Sequence, residues 1–135
     1  MSVLIGDDNI AFFKKLLSDR CTIVFSELDK YGHDETEDLK VFPAVVLKPE
    51  STSEVSTILK YCSQHKLPIT PSGARTGLSG GAIPIEGGIA LTMERFNKII
   101  DIDEDNFQVI TEPGVITEVL QNSVKEKGLF YPPDP

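Results

Sequence analysis

Between Ala44 and Thr70 the chain changes character in an order that few folds accommodate. A continuous apolar run, Ala44-Val45-Val46-Leu47, leads through Pro49 to Ser51-Thr52-Ser53-Glu54. A serine followed three residues later by a glutamate is the pattern that satisfies the first free N–H groups of a helix. Val55, Ile58, Leu59 and Cys62 then recur at i, i+3, i+4 and i+7, Leu67-Pro68 stops the helix, and Ile69-Thr70 begins a second short strand. Strand, helix and strand in this order predict a right-handed crossover between parallel strands, a small βαβ layer over residues 44–71.

The same reading places a helix near 8–20, opened by the acidic pair Asp7-Asp8, with Ile10, Phe13 and Leu17 on one face and Phe12 and Leu16 beside them. From Glu27 to Lys40 acids are dense and apolar residues sparse, which predicts a solvated loop. Apolar strands are expected at 89–93, 99–103 and 107–112, the last two joined as a hairpin through Glu104-Asp105-Asn106 and ended by Pro113-Gly114. A final helix near 115–127 carries Ile116, Val119, Leu120 and Val124 on one face and stops at Gly128. Leu129-Phe130-Tyr131 reads as one more strand. The predicted class is α+β, with a helix and acidic loop over 1–42 and the principal domain over 43–135.

Charge removes several functions. Twenty-one Asp and Glu against 13 Lys and Arg leave a net charge of −8 with no basic run, so nucleic acid is not an expected partner. No apolar stretch approaches the roughly 18 residues of a transmembrane helix, and the N-terminus lacks a signal-peptide pattern, so a cytoplasmic protein is expected. Cys21 and Cys62 lie far apart, outside any CxxC or Cys/His cluster, and read as reduced thiols; no metal site is expected. His33 and His65 are likewise isolated.

Six of the ten glycines, at 73, 77, 80, 81, 87 and 88, fall between Pro71 and Gly88, where Arg75 and Glu86 are the only charges. Closely spaced glycines let backbone N–H groups converge on an anion because no Cβ blocks its approach, and such local donors work whatever the net charge. Arg75 and the hydroxyls of Ser72, Thr76 and Ser79 add side-chain donors. The loop is not a Walker A loop: three residues separate Gly73 from Gly77, and no lysine occurs between Lys66 and Lys98. Nor does it contain GxGxxG, so a Rossmann nicotinamide site is not expected. Spacing alone leaves a ligand-free glycine-rich surface loop as the alternative.

PAVVLKP (43–49), SEV (53–55), PSGARTGLSGG (71–81), GGIAL (87–91), IID (99–101), EPGV (112–115) and PPDP (132–135) follow one another in an order and spacing that resemble the FAD-linked oxidase family. This is the vanillyl-alcohol oxidase type of flavoprotein, and the nearest flavour is that of D-lactate, glycolate and D-2-hydroxyglutarate dehydrogenases. The resemblance implies the N-terminal portion of a two-lobed FAD-binding domain. It implies that Pro71, Ser72, Gly73, Ala74, Arg75, Thr76 and Gly77 wrap the pyrophosphate and that Leu78, Ser79 and Gly80 continue along the flavin. By the same resemblance Pro113 and Gly114 lie by the adenosine half, and Pro133 and Asp134 open a further stretch along the cofactor. Where some relatives carry a histidine for covalent attachment this chain has Ala74, so non-covalent FAD is expected.

The resemblance further implies oxidation of a small 2-hydroxy acid by hydride transfer to FAD in a longer enzyme. The acid/base and carboxylate-binding residues would lie beyond Pro135, so no catalytic residue is assigned, and the chain alone is expected to be inactive. Two other readings stay open at this point. One is a non-catalytic scaffold that self-associates through its exposed lobe surface; the other is a phosphate-binding domain unrelated to flavins.

Overall fold

The computed structural model describes residues 5–133. Helix α1 (Asp7–Leu17) runs into a 3₁₀ turn over Ser18–Arg20 and then the two-residue strand β1 (Cys21–Thr22). Helix α2 (Phe25–Lys30), strand β2 (Val45–Leu47), helix α3 (Thr52–His65) and strand β3 (Ile69–Ser72) follow, then strand β4 (Ile89–Thr92). Strands β5 (Ile99–Asp103) and β6 (Gln108–Thr111) form a separate antiparallel hairpin, and helix α4 (Thr117–Lys125) comes last. The structure is the mixed α and β arrangement expected from the sequence.

The main sheet has the order β1-β2-β4-β3, with β4 parallel to both β2 and β3, and β1 antiparallel on the β2 edge. The two strands of the predicted βαβ unit are therefore parallel but not adjacent, because β4 inserts between them. Alternating side chains separate the two faces of the sheet. Val45, Leu47, Ile89 and Leu91 pack with Phe13, Leu17, Ile58 and Cys62 from α1 and α3, whereas Val46 and Ala90 pack with Tyr31 and Leu28 on the other face. Burial on both faces is why β2 is an uninterrupted apolar run and β4 is apolar as far as Leu91.

Helix α3 begins as its sequence predicts: the Ser51 hydroxyl accepts from the Glu54 N–H at 3.2 Å. The Glu54 carboxylate accepts from the Glu50 N–H at 2.8 Å and receives both terminal nitrogens of Arg20, at 2.7 and 2.8 Å, fastening the turn before β1 to the start of α3. Gly128, at φ +73, lies just past the end of α4.

Three expectations need correction. The acidic segment is not simply a solvated loop, since it contributes α2 and buries Tyr31 and Asp34. Helix α1 is capped by Gly6, without a side-chain hydrogen bond, and the two acids fall inside its first turn. Residues Leu129-Phe130-Tyr131 are not a strand, and Phe130 is exposed. On α4 only Leu120 and Val124 enter the core, while Ile116 and Val119 remain more than half exposed.

Candidate functional site

Because β2, β3 and β4 are parallel, the residues that follow them, Lys48, Gly73 and Met93-Glu94, emerge at one edge of the sheet. The carboxyl edge is where open parallel sheets gather their ligands. Here it carries an open cleft of about 540 Å³, lined by Gly73, Ala74 and Arg75 after β3, by Glu94 and Asn97 after β4, by Lys30 at the end of α2, by Gly114, Val115 and Ile116 on the approach to α4, and by Val119 within it.

The glycines on this cleft have different physical origins. A Cβ on Gly114 would overlap the carbonyl oxygens of Met93 and Phe96, so the chain's own packing demands glycine there. A Cβ on Gly73 would meet only the Pro113 carbonyl, at 3.6 Å, and one on Gly77 or Gly81 would meet nothing within 4 Å; none of these three has a positive φ. Their lack of a side chain leaves space that the fold itself does not use. None of the N–H groups from Gly73 to Ser79 donates to a backbone carbonyl among the described residues. The Ser72 hydroxyl is buried and has no hydrogen-bond partner.

Farther along, the loop is tied down. Gly80, at φ +72, donates its N–H to the Thr36 hydroxyl at 2.7 Å, and the Glu35 N–H donates to the Gly77 carbonyl at 3.2 Å. Gly80 and Gly81 line a separate hollow with Pro68, Ile69 and Thr70.

Behind the cleft stands a charged network. The Tyr31 hydroxyl donates to Glu94 at 2.5 Å, and Lys48 bridges Glu94 at 3.1 Å and Glu27 at 2.8 Å. Burial alone would raise the Glu94 carboxyl, but the hydrogen bonds from Tyr31 and Lys48 outweigh it and hold the group below its ordinary range. Burial likewise pulls Lys48 down, and its contacts with Glu27, Tyr31 and Glu94 more than reverse that, keeping it charged. Arg75 adopts a left-handed backbone, φ +60, with its guanidinium carbon 4.4 Å from the centroid of the Tyr31 ring.

Of the residues singled out from sequence, Gly73, Ala74, Arg75 and Gly114 meet on the cleft. Pro71 and Ser72 end β3, Pro113 sits over Gly73, and Thr76 to Ser79 continue the loop away from the lining. Leu78 is 76% exposed. Pro133 is held apart from the cleft, its carbonyl accepting from the Gln121 amide at 3.0 Å, and Asp134 lies outside the described residues. Lys30, Glu94 and Asn97 were not legible as site residues; the only hint was a lone aromatic, Tyr31, inside an acidic run. Among the described residues no group of three or more His, Cys, Asp and Glu is arranged to hold a metal ion, and no helix is long and apolar enough to cross a membrane.

Residues 43–135 match the FAD binding domain family. The glycolate oxidase subunit GlcD of Bacillus subtilis (strain 168) is 46% identical over 105 residues, 78% of this chain and 22% of that protein. The D-lactate dehydrogenase of Anaerostipes hadrus is 40% identical over 124 residues, 91% of this chain and 26% of that one. A crystal structure of p-cresol methylhydroxylase with substrate bound superposes with a TM-score of 0.80 at 26% identity, over 94% of this chain and 26% of that one. The chain thus spans about a quarter of the length of the relatives it matches.

Proposed function

The chain belongs to the FAD binding domain family, and on that premise we propose that the cleft at the carboxyl edge of its sheet receives the pyrophosphate of FAD. Family, fold of the vanillyl-alcohol oxidase type and cofactor agree with what the motifs implied. The observation that carries the site is the run of N–H groups from Gly73 to Ser79 with no backbone acceptor, beginning beside a glycine whose missing side chain the fold does not require. Backbone dipoles of this kind hold phosphate oxygens without a compensating positive net charge.

In this reading Pro71 and Ser72 end β3 at the start of the loop, the unpartnered Ser72 hydroxyl is one donor, and Gly73, Ala74, Arg75, Thr76 and Gly77 offer further donors to the diphosphate. Leu78 and Ser79 extend toward the rest of the cofactor, while Gly80 anchors the loop through Thr36. Pro113 and Gly114 form the opposite wall, and Val115, Ile116 and Val119 give it an apolar surface. Pro133 and Asp134 are assigned to the cofactor envelope on the motif alone. Neither histidine nor cysteine lines the cleft, which favours non-covalent attachment.

FAD, when bound, supplies a hydride acceptor. Both curated relatives described above are named for small 2-hydroxy acids, and we assign the same substrate class to the whole enzyme of which this domain is part. The residues of this chain then act by holding and orienting the cofactor. Substrate-binding and acid/base groups are expected outside these 135 residues.

FAD titrated into the 135-residue chain and followed by flavin fluorescence tests this reading. An open cleft encloses only part of a dinucleotide, so saturable binding weaker than micromolar is expected. Submicromolar affinity with one flavin per chain would contradict partial enclosure, and the lack of any saturable change would contradict the flavin site. In the complete enzyme, anaerobic bleaching of the flavin by D-lactate, glycolate or a related 2-hydroxy acid tests the substrate class, which fails if none reduces it.

A further inference from the structure

Two cations line this cleft without an ion-pair partner among the described residues. The ion pairs of the described residues engage Arg20, Lys40, Lys48, Arg95 and Lys127. Lys30 and Arg75 have no carboxylate partner among them, although the chain carries 21 acids. Both line the same cleft, and both rest on the same aromatic ring: the Lys30 ammonium lies 5.3 Å and the Arg75 guanidinium 4.4 Å from the centroid of Tyr31.

An aromatic face attracts a cation without neutralising it, and a stacked guanidinium keeps its N–H fork free in its own plane. The ring is itself fixed. Its hydroxyl donates to one oxygen of Glu94, whose other oxygen pairs with Lys48, and Lys48 is held in turn by Glu27. The one acid on the cleft wall is thus already engaged through both oxygens. Arg75 also holds a left-handed backbone that non-glycine residues seldom adopt, a conformation that persists only where the surroundings fix it.

We propose that Lys30 and Arg75 form a two-cation clamp for the diphosphate, with Lys30 a binding residue beyond the glycine loop and Tyr31 the residue that positions both. The clamp rests on the pyrophosphate reading above and adds to it a contribution from outside the matched family region, since Lys30 precedes residue 43. It makes anion binding depend on side-chain charge in addition to backbone dipoles.

The test titrates inorganic pyrophosphate into the 135-residue chain by calorimetry at low salt, with a thermal melt of each variant. Lys30→Gln and Arg75→Gln should each weaken pyrophosphate binding about fivefold or more, as loss of a charge-assisted contact at a partly exposed site does. Lys60→Gln, an exposed lysine of α3, should bind as the wild type. Tyr31→Phe keeps the ring and should retain most of the affinity, whereas Tyr31→Leu should lose as much as the cation variants; if the leucine variant melts, the phenylalanine and Lys30→Gln arms decide.

The clamp is overturned if Lys30→Gln binds pyrophosphate like the wild type, if Lys60→Gln loses as much, or if the wild type takes up no pyrophosphate. A competition arm separates this from the flavin reading. Pyrophosphate binding with the expected variant effects, but no displacement by millimolar FAD, keeps the clamp and removes the flavin. FAD binding that is indifferent to Lys30→Gln removes the clamp and keeps the flavin.

Discussion

The N–H of Gly114 donates to the carbonyl of Phe96 at 2.7 Å, and this bond seats one wall of the cleft against the segment that leaves β4. The approach is close enough that a Cβ at 114 would overlap both the Phe96 and the Met93 carbonyl oxygens. Across the cleft Gly73 faces no such constraint. Two glycines of one site therefore serve different ends: Gly114 lets the protein close on itself, and Gly73 leaves room for something else.

That contrast gives a paired prediction. Gly114→Ala should destabilise the fold by about 1–3 kcal/mol, because backbone must move to admit the methyl group. Gly73→Ala should melt close to the wild type, and Gly73→Val should fold yet weaken FAD retention in the complete enzyme. Thermal melts together with flavin-to-protein absorbance ratios check both. Equal FAD retention by Gly73→Val and wild type would count against the pyrophosphate role.

Acid should reveal the Arg20–Glu54 pair. The paired guanidinium, helped by the Glu50 and Ser51 N–H groups, lowers the Glu54 carboxyl from 4.5 to about 2 despite partial burial. A folded-state value below the unfolded one means that the pair stabilises the protein fully above about pH 4.5 and loses that contribution as pH falls toward 2. Glu54→Gln should cost about 2 kcal/mol at pH 7 and much less at pH 2.5. Urea unfolding at the two pH values measures this; an equal cost at both would show that the pair does not act through charge.

Much of this architecture could be read from residue order because local signals agreed with one another. The Ser51 cap, the α3 stripe, the β5–β6 hairpin and the Gly128 stop each follow from a few adjacent residues. The insertion of β4 between β2 and β3 could not, since three short apolar runs are interchangeable as sheet neighbours until the chain closes on itself. The α4 stripe has the same 3.6 period whether it faces core or cleft, so residue order alone does not separate Ile116 and Val119 on the cleft from the buried Leu120 and Val124. Tyr31 was hidden by the charge around it, and with it the group of Lys30, Arg75 and Glu94, which only tertiary folding brings together. The glycine loop, by contrast, announced itself because its conformational freedom is written in composition.

The two thiols should behave as core atoms. Burial pushes Cys62 up to about 11 and raises Cys21 as well, so neither forms an appreciable thiolate at neutral pH. An aromatic disulfide reagent should modify the native chain slowly and both thiols rapidly in denaturant. Fast stoichiometric labelling of the native protein would contradict the packing of α1 and α3 on the sheet.

The most direct test of the central claim is residue-resolved: amide chemical-shift mapping of the 135-residue chain during titration with FAD. The largest saturable shifts should fall on Gly73, Ala74, Arg75, Thr76 and Gly77, with Gly114 and Val115 moving alongside them and Gly80, already bonded to Thr36, moving little. Shifts centred instead on the hollow formed by Pro68, Ile69, Thr70 and Gly81, or no shift at saturating FAD, would contradict it.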